Sequence, residues 1–260
     1  MSVQAIIFDL DETLIEDRQA TQCALSKACL YAQARVPLDS TRLRIDAYRH
    51  AKLLWAEAPT YAYCHAIGIS ASEGMWGRFE GETSDLHALF QWAPIFQQLL
   101  WKRALAEQDI INDELAEELA ACFREERRSC YRVFSDVEAA LSTLKQRYAL
   151  ALLTNGTPDL QREKIRASGL EQYFDTIAVS GEVGIGKPEP EIFVHVLQEL
   201  GVAPEQAVMV GDSLPRDIAG SYHSGMRGMW INRYDDACQE AYRPMIASQI
   251  SVLDELEAVL

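Results

Sequence analysis

The chain has 260 residues, 48 % of them apolar and 24 % charged, with a net charge of −15 at pH 7. That length suits one large domain or two modest ones, and no apolar run approaches the roughly 18 residues of a membrane span. The acidic balance argues against nucleic acid as a partner, but not against a small anionic substrate, because a bound divalent cation reverses the local sign.

The first residues lack the basic, apolar, small-residue succession of a secretory signal, so a cytoplasmic location without membrane attachment is expected. Six cysteines (Cys23, Cys29, Cys64, Cys122, Cys130 and Cys238) show no CxxC pair and read as buried thiols of a reducing compartment. Ala5–Phe8 is a wholly apolar run, the pattern of a strand buried on both faces of a parallel sheet. It ends in Asp9, and Asp11 follows. Isolated buried charges are costly, so a strand ending in two acids implies that something binds them.

Residues 16–135 show helical patterns over Asp17–Arg35, Thr41–Glu57, Ser84–Gln108 and Asn112–Tyr131, with no strand between them. Pro94 is expected to start or kink the third helix. Ala58–Ser84 has no clean period and carries glycines at 68, 74, 77 and 81; it reads either as a functional loop or as an irregular packing segment of the helical bundle. Trp76 in this loop is a candidate substrate contact, whereas Trp55, Trp92 and Trp101 are expected in a core. Arg124, Arg127, Arg128 and Arg132 accompany Glu125 and Glu126 on the last helix and read as a solvated, salt-bridged face.

Beyond residue 135 the pattern changes. Ser135 with Glu138 resembles a capping box opening a helix over Asp136–Arg147. Ala149–Gly156 is an apolar strand; Thr157 and Pro158 suit the start of the next helix and Gly169 its end. A strand near Thr176–Ser180, a helix over Glu191–Leu200, a strand over Ala207–Ser213, a helix from Pro215 to Ser224 and a last strand near residues 228–233 follow. Strands alternating with helices imply an α/β fold, a doubly wound Rossmann-like parallel sheet. The strand at residues 5–9 belongs to that sheet, so residues 1–15 and 136–260 are expected to form the core and residues 16–135 an inserted all-helical domain. Charge divides with them: residues 16–135 carry 14 basic and 17 acidic side chains, the remainder 10 and 22.

Ligands of open α/β sheets bind beyond the carboxyl ends of the strands. Three strands end there in polar residues: Asp9-Leu10-Asp11-Glu12-Thr13, Thr154-Asn155-Gly156, and Gly211-Asp212-Ser213 with Asp217 four residues on. Asp9, Asp11, Asp212 and Asp217 should therefore meet in one crevice beside the Thr154 hydroxyl. Four carboxylates together repel unless a cation intervenes, and an oxygen-only donor set without histidine favours Mg²⁺. His50, His65, His87, His195 and His223 are scattered without ligand spacing. Taken singly, DET, TNG, GKP and GDS are ordinary turn chemistry; their joint order after apolar strands is not.

With those motifs in place, "DLDET", "LLTNG", "GKPEP" and "VGDSLPRD" together resemble the four motifs of the haloacid dehalogenase (HAD) superfamily, on the branch with a helical cap after the first strand. Glu12 stands where many relatives carry Gly. The resemblance implies a phosphatase in which Asp9 is the nucleophile and Asp11 the acid and base. It implies that Thr154, Asn155 and Lys187 hold the phosphate, with Lys187 also orienting Asp9. The metal would be held by Asp9, the backbone carbonyl of Asp11, Asp212 and Asp217, with Thr13 and Ser213 supporting.

The expected activity is Mg²⁺-dependent hydrolysis of a small phosphorylated metabolite (phosphoserine, a sugar phosphate or a nucleotide-like ester) through an aspartyl-phosphate, by a monomer or homodimer. A cap this large should set selectivity. Rival expectations are a phosphomutase, a catalytically silent binding protein, and a 2-haloacid dehalogenase. The last needs neither a metal nor an acid at position 11.

Overall fold

The computed structural model describes residues 2–260 and divides into two compact units. The α/β unit comprises the chain up to Glu16, Arg132–Thr157 and Gln161–Leu260; the helical unit comprises Asp17–Tyr131 with Pro158–Leu160.

The helical unit contains α1 (Asp17–Gln33), α2 (Ser40–Trp55), α3 (Tyr61–Ile67), α4 (Ala71–Gly74), α5 (Ser84–Ala106) and α6 (Asp113–Ser129). Side-chain oxygens cap several starts: Asp39 accepts from the N–H groups of Thr41 and Arg42, Thr83 from Leu86, and Asn112 from Leu115. These satisfy donors that a first turn leaves unpaired. Pro94 neither starts nor ends α5, which runs through it. Leu89, Ala93, Phe96 and Leu100 are buried on either side, and this packing offsets the missing hydrogen bond.

Two expectations about this unit are corrected. The Ala58–Ser84 stretch holds two short helices, and Trp76 is a core residue, 1 % exposed. Nor is the arginine row a solvated face throughout, although Arg132, beyond the end of α6, is exposed. Arg127 is fully buried, pairs with Asp17, and lies 4.9 Å over the Trp76 ring; Arg124 donates to Gln97 Oε1 at 2.9 Å. The alternating acids misled the reading because Glu125 and Glu126 lie toward the outer side of a helix whose other face is packed.

The α/β unit contains β1 (Ala5–Phe8), α7 (Val137–Leu144), β2 (Ala149–Thr154), α8 (Pro158–Ser168) from Gln161 onward, β3 (Thr176–Val179), α9 (Ser180–Val183) and α10 (Pro190–Leu200). It continues with β4 (Ala207–Gly211), a wide π-type turn over Leu214–Ile218 that leads into α11 (Ala219–His223), β5 (Arg227–Ile231) and β6 (Ile246–Ile250). All six strands are parallel, in the order β3-β2-β1-β4-β5-β6. Phe8 stands opposite Leu152 on one side and Val210 on the other.

Side chains alternate between the two faces of the sheet. Ile6, Phe8, Leu150, Leu152, Val208 and Val210 pack with Val137 and Leu141 of α7; Ala5, Ile7, Ala151, Leu153 and Met209 pack with Ile192, Phe193 and Val196 of α10. Both faces are covered, which is why the central strands read as continuous apolar runs. The doubly wound α/β architecture with a helical insertion is thus the fold of the chain.

Three local expectations differ. The edge strand β6 escaped notice, because only Ile250 of Ile246–Ile250 is fully buried and the run is half polar. The segment after Ser213 opens with a π-type turn before its helix. The Ser135–Glu138 capping box does not form among the described residues; α7 begins after Asp136, whose carboxylate accepts from Arg233 Nη1 and from the Leu253 N–H. Between β1 and β4 the strand order reverses, and both strands end there in carboxylates.

Candidate active site

The site begins where β1 stops. The Asp9 N–H donates to Val210 O at 2.9 Å, continuing the ladder to β4. The chain then closes a tight loop, with Leu14 N–H donating to Leu10 O and Glu12 N–H to Ile15 O. Glu12 adopts φ of 62°, the left-handed region that glycine enters freely. Its carboxylate accepts from the Tyr234 hydroxyl at 2.7 Å, and the expected departure from glycine thus has a partner that holds it. Thr13 supports the loop through its backbone: its carbonyl accepts from Arg233 Nε at 3.0 Å and Nη2 at 2.7 Å. Arg233 also pairs with Asp136 and lies 3.9 Å over the Phe134 ring. Sequence reasoning did not find Arg233.

Lys187 enters from the loop after α9. Its Nζ lies 2.6 Å from Asp9 Oδ1 and 2.7 Å from Asp217 Oδ1, and donates to Leu153 O at 2.8 Å. The residue is 4 % exposed. Burial works against its charge, but Asp217 and Asp9 outweigh burial and hold its pKa above that of an ordinary lysine. For Asp9, burial pushes the carboxyl up, Lys187 opposes, and Asp217 adds repulsion, leaving it at about 6.

Asp212 and Asp217 follow β4. Asp217 is fully buried and its Oδ2 accepts from the Ser213 N–H at 3.0 Å. The turn needs a glycine before it: a Cβ on Gly211 would lie 2.3 Å from Asp217 Oδ2. Ser213 caps the turn, its Oγ accepting from Arg216 N–H at 3.4 Å. The Asp212 carbonyl accepts from Trp230 Nε1 at 2.9 Å.

The end of β2 supplies Thr154 and Asn155, both buried. The Thr154 hydroxyl donates to Gln161 Oε1 at 3.1 Å. Asn155, expected among the phosphate contacts, is instead committed to the backbone of Lys187. Its Nδ2 donates to Lys187 O at 2.9 Å and its Oδ1 accepts from Lys187 N–H at 2.8 Å. This side chain sets where Lys187 leaves its loop. The Asp11 carboxylate stands outside the cluster of the other acids and meets Lys164 Nζ of α8, at 3.1 Å and 2.9 Å from its two oxygens. Lys164 and Gln161 were also missed by sequence reasoning.

One oxygen each of Asp9, Asp212 and Asp217 lie within 4.8 Å of one another. Three carboxylates, two of them paired with Lys187, concentrate negative charge in one place. The donors are all oxygen, two of the acids are buried, and a hard divalent cation matches both charge and donor type. The residues fit such an ion.

Comparison with known proteins agrees with this geometry. The family model of haloacid dehalogenase-like hydrolases matches residues 3–221. The chain is 39 % identical over 232 residues to the phosphoserine phosphatase of Thermus thermophilus, covering 89 % of each chain. It is 31 % identical over 261 residues to the N-acylneuraminate-9-phosphatase of Rattus norvegicus, covering 99 % of this chain and 94 % of that one. Among solved structures, the HAD-hydrolase YfnB of Bacillus subtilis superposes with a TM-score of 0.69 at 22 % identity, over 100 % of this chain and 99 % of that one, a likeness of fold. No helix among the described residues is long and apolar enough to cross a membrane. The chain belongs to the haloacid dehalogenase-like hydrolases, and within them it is a hydrolase of phosphoric monoesters.

Proposed function

We propose that the chain is a Mg²⁺-dependent phosphatase of small phosphorylated metabolites, working through an aspartyl-phosphate on Asp9. The observation that carries this reading is the cluster of Asp9, Asp212 and Asp217, the first and last of them paired with the Lys187 ammonium, at the reversal of strand order. These three carboxylates and the backbone carbonyl of Asp11 would hold the ion. When bound, a divalent cation offsets the repulsion between an anionic nucleophile and an anionic phosphate.

The chain's own groups divide the work. In the first half-reaction an Asp9 oxygen bonds to phosphorus as the ester P–O bond breaks, and Asp11 gives a proton to the departing oxygen. In the second, water bonds to phosphorus, its proton goes to Asp11, and the Asp9–phosphorus bond breaks to release phosphate. Lys187 fixes Asp9 and offsets charge on the phosphoryl oxygens. Thr154 serves the same oxygens once its hydroxyl turns from Gln161. Asn155 acts through Lys187, and Thr13 and Ser213 hold their loops. A dehalogenase would have no use for an acid at position 11 held by its own ammonium.

Phosphoserine and N-acylneuraminate 9-phosphate, the substrates in the names of the two relatives, are both phosphate esters of molecules that carry a carboxylate. That class is assigned to this chain, with selection among its members assigned to the helical unit. Phosphate release from phosphoserine and from phosphoethanolamine, which lacks only the carboxylate, tests the assignment. A preference of at least roughly tenfold in kcat/KM for carboxylated esters across a metabolite panel is expected, about 1.4 kcal/mol of discrimination; equal rates would remove the carboxylate from the reading.

A further inference from the structure

We infer that Lys164 is a positioning residue for Asp11, fixing the carboxyl that serves the leaving group. The inference rests on the proposed role of Asp11 as proton donor. Lys164 is fully buried, and its Nζ reaches both oxygens of Asp11, at 3.1 Å and 2.9 Å. The Asp11 side chain is tied by this contact and keeps 28 % of its surface exposed.

The geometry separates this pair from an ordinary ion pair in three ways. First, contact with both oxygens of a carboxylate resists rotation about its last bond, which a contact with one oxygen does not. Second, a buried ion pair is weak grounds for stability, since its desolvation consumes most of its attraction. Third, the same face of α8 reaches the site twice. Gln161 meets Thr154 at 3.1 Å, and Lys164 stands three residues further along the helix. Ile165, beside them, is buried in the core under the sheet and anchors the helix. The two aspartates of the first loop therefore each meet an ammonium from a different element: Asp9 that of Lys187, and Asp11 that of Lys164.

A carboxyl that protonates a leaving oxygen must be held within hydrogen-bond reach and in line with it. The need is greatest for alkoxides, which are poor leaving groups, and small for p-nitrophenolate, which departs without help. Loss of orientation at Asp11 thus has a signature that loss of fold lacks. It changes the ratio of kcat/KM between an alkyl monoester and p-nitrophenyl phosphate. That ratio is independent of how much of the protein is folded.

The test measures this ratio for the wild type, Asp11→Asn, Lys164→Met and Lys164→Arg with saturating Mg²⁺. Phosphoserine, or the alkyl monoester of the panel that is cleaved fastest, is set against p-nitrophenyl phosphate. The expected result is a ratio at least roughly tenfold lower in Lys164→Met, a larger fall in Asp11→Asn, and partial recovery in Lys164→Arg, which keeps a donor to both oxygens. A ratio unchanged in Lys164→Met while Asp11→Asn lowers it would overturn the inference and leave the role of Asp11 standing. A ratio unchanged in Asp11→Asn would overturn that role, and the inference with it.

Discussion

Lys187 Nζ stands 2.6 Å from Asp9 Oδ1, and the same ammonium lies 2.7 Å from Asp217 Oδ1. One cation therefore ties the end of β1 to the turn after β4. Lys187→Met leaves two buried carboxylates facing each other. Removing one partner of a buried pair costs about 3–5 kcal/mol, so urea unfolding in EDTA should show a loss of that order. Phosphate release at saturating Mg²⁺ should fall by roughly 100-fold or more. A variant with wild-type stability and turnover would show that the ammonium is incidental.

Asp9 should give the metal-free protein a stability that depends on pH. Its carboxyl stands at about 6 in the folded chain against an ordinary 3.8. The folded state thus binds the proton more tightly, and the stability this proton contributes is fully present below 3.8 and lost as pH rises through about 6. Asp9→Asn escapes that loss. With EDTA present, the variant should gain on the wild type by about 1 kcal/mol between about pH 5 and about pH 8. Equal pH slopes in chemical unfolding of the two proteins would contradict this.

Much of this arrangement was legible in the chain because its acids follow apolar runs. Asp9 after Ala5–Phe8 and Asp212 after Ala207–Gly211 are placed by strands buried on both faces, and such runs leave a strong pattern. Lys164, Gln161 and Arg233 left none. They lie on a helix and in a loop, where which face meets the site is decided by packing between elements distant in sequence. Asn155 was visible as a motif residue, but its role depends on meeting the backbone of Lys187, which no spacing encodes. β6 was hidden for the opposite reason, since an edge strand with one buried face needs few apolar residues.

Gly211 is required by close approach. A Cβ there would sit 2.3 Å from Asp217 Oδ2 and 2.4 Å from its Cγ, and Asp217 is fully buried. Gly211→Ala should displace that carboxylate. The Mg²⁺ concentration for half-maximal activity should rise about 10-fold or more, the usual range for disturbing a metal site's supporting shell. An unchanged Mg²⁺ requirement would place Asp217 outside the metal's surroundings.

Glu12 and Tyr234 should be energetically coupled. A non-glycine residue at φ of 62° carries backbone strain, and the hydroxyl of Tyr234 reaches the Glu12 carboxylate at 2.7 Å. A hydrogen bond to a charged group contributes about 1.5–3 kcal/mol. Tyr234→Phe should cost about that much in the wild type and little in a Glu12→Gly background, where the strain is also relieved. A double-mutant cycle by thermal unfolding measures the difference; additive effects would mean that the loop is held by its backbone alone.

The central claim is that Asp9 attacks phosphorus with Mg²⁺ in the site. Its most direct test is phosphate release from phosphoserine and a panel of phosphorylated metabolites, with Mg²⁺ and with EDTA, for wild type and Asp9→Asn. Acid-quenched wild-type enzyme is analysed alongside by mass spectrometry for phosphate on the peptide that carries Asp9. The account predicts metal-dependent release by the wild type and a hydroxylamine-sensitive phosphate on that peptide. It also predicts loss of release by at least roughly 1,000-fold in Asp9→Asn, as expected when a nucleophile is removed. Release that survives EDTA, or an Asp9→Asn variant that turns over at the wild-type rate, would contradict it.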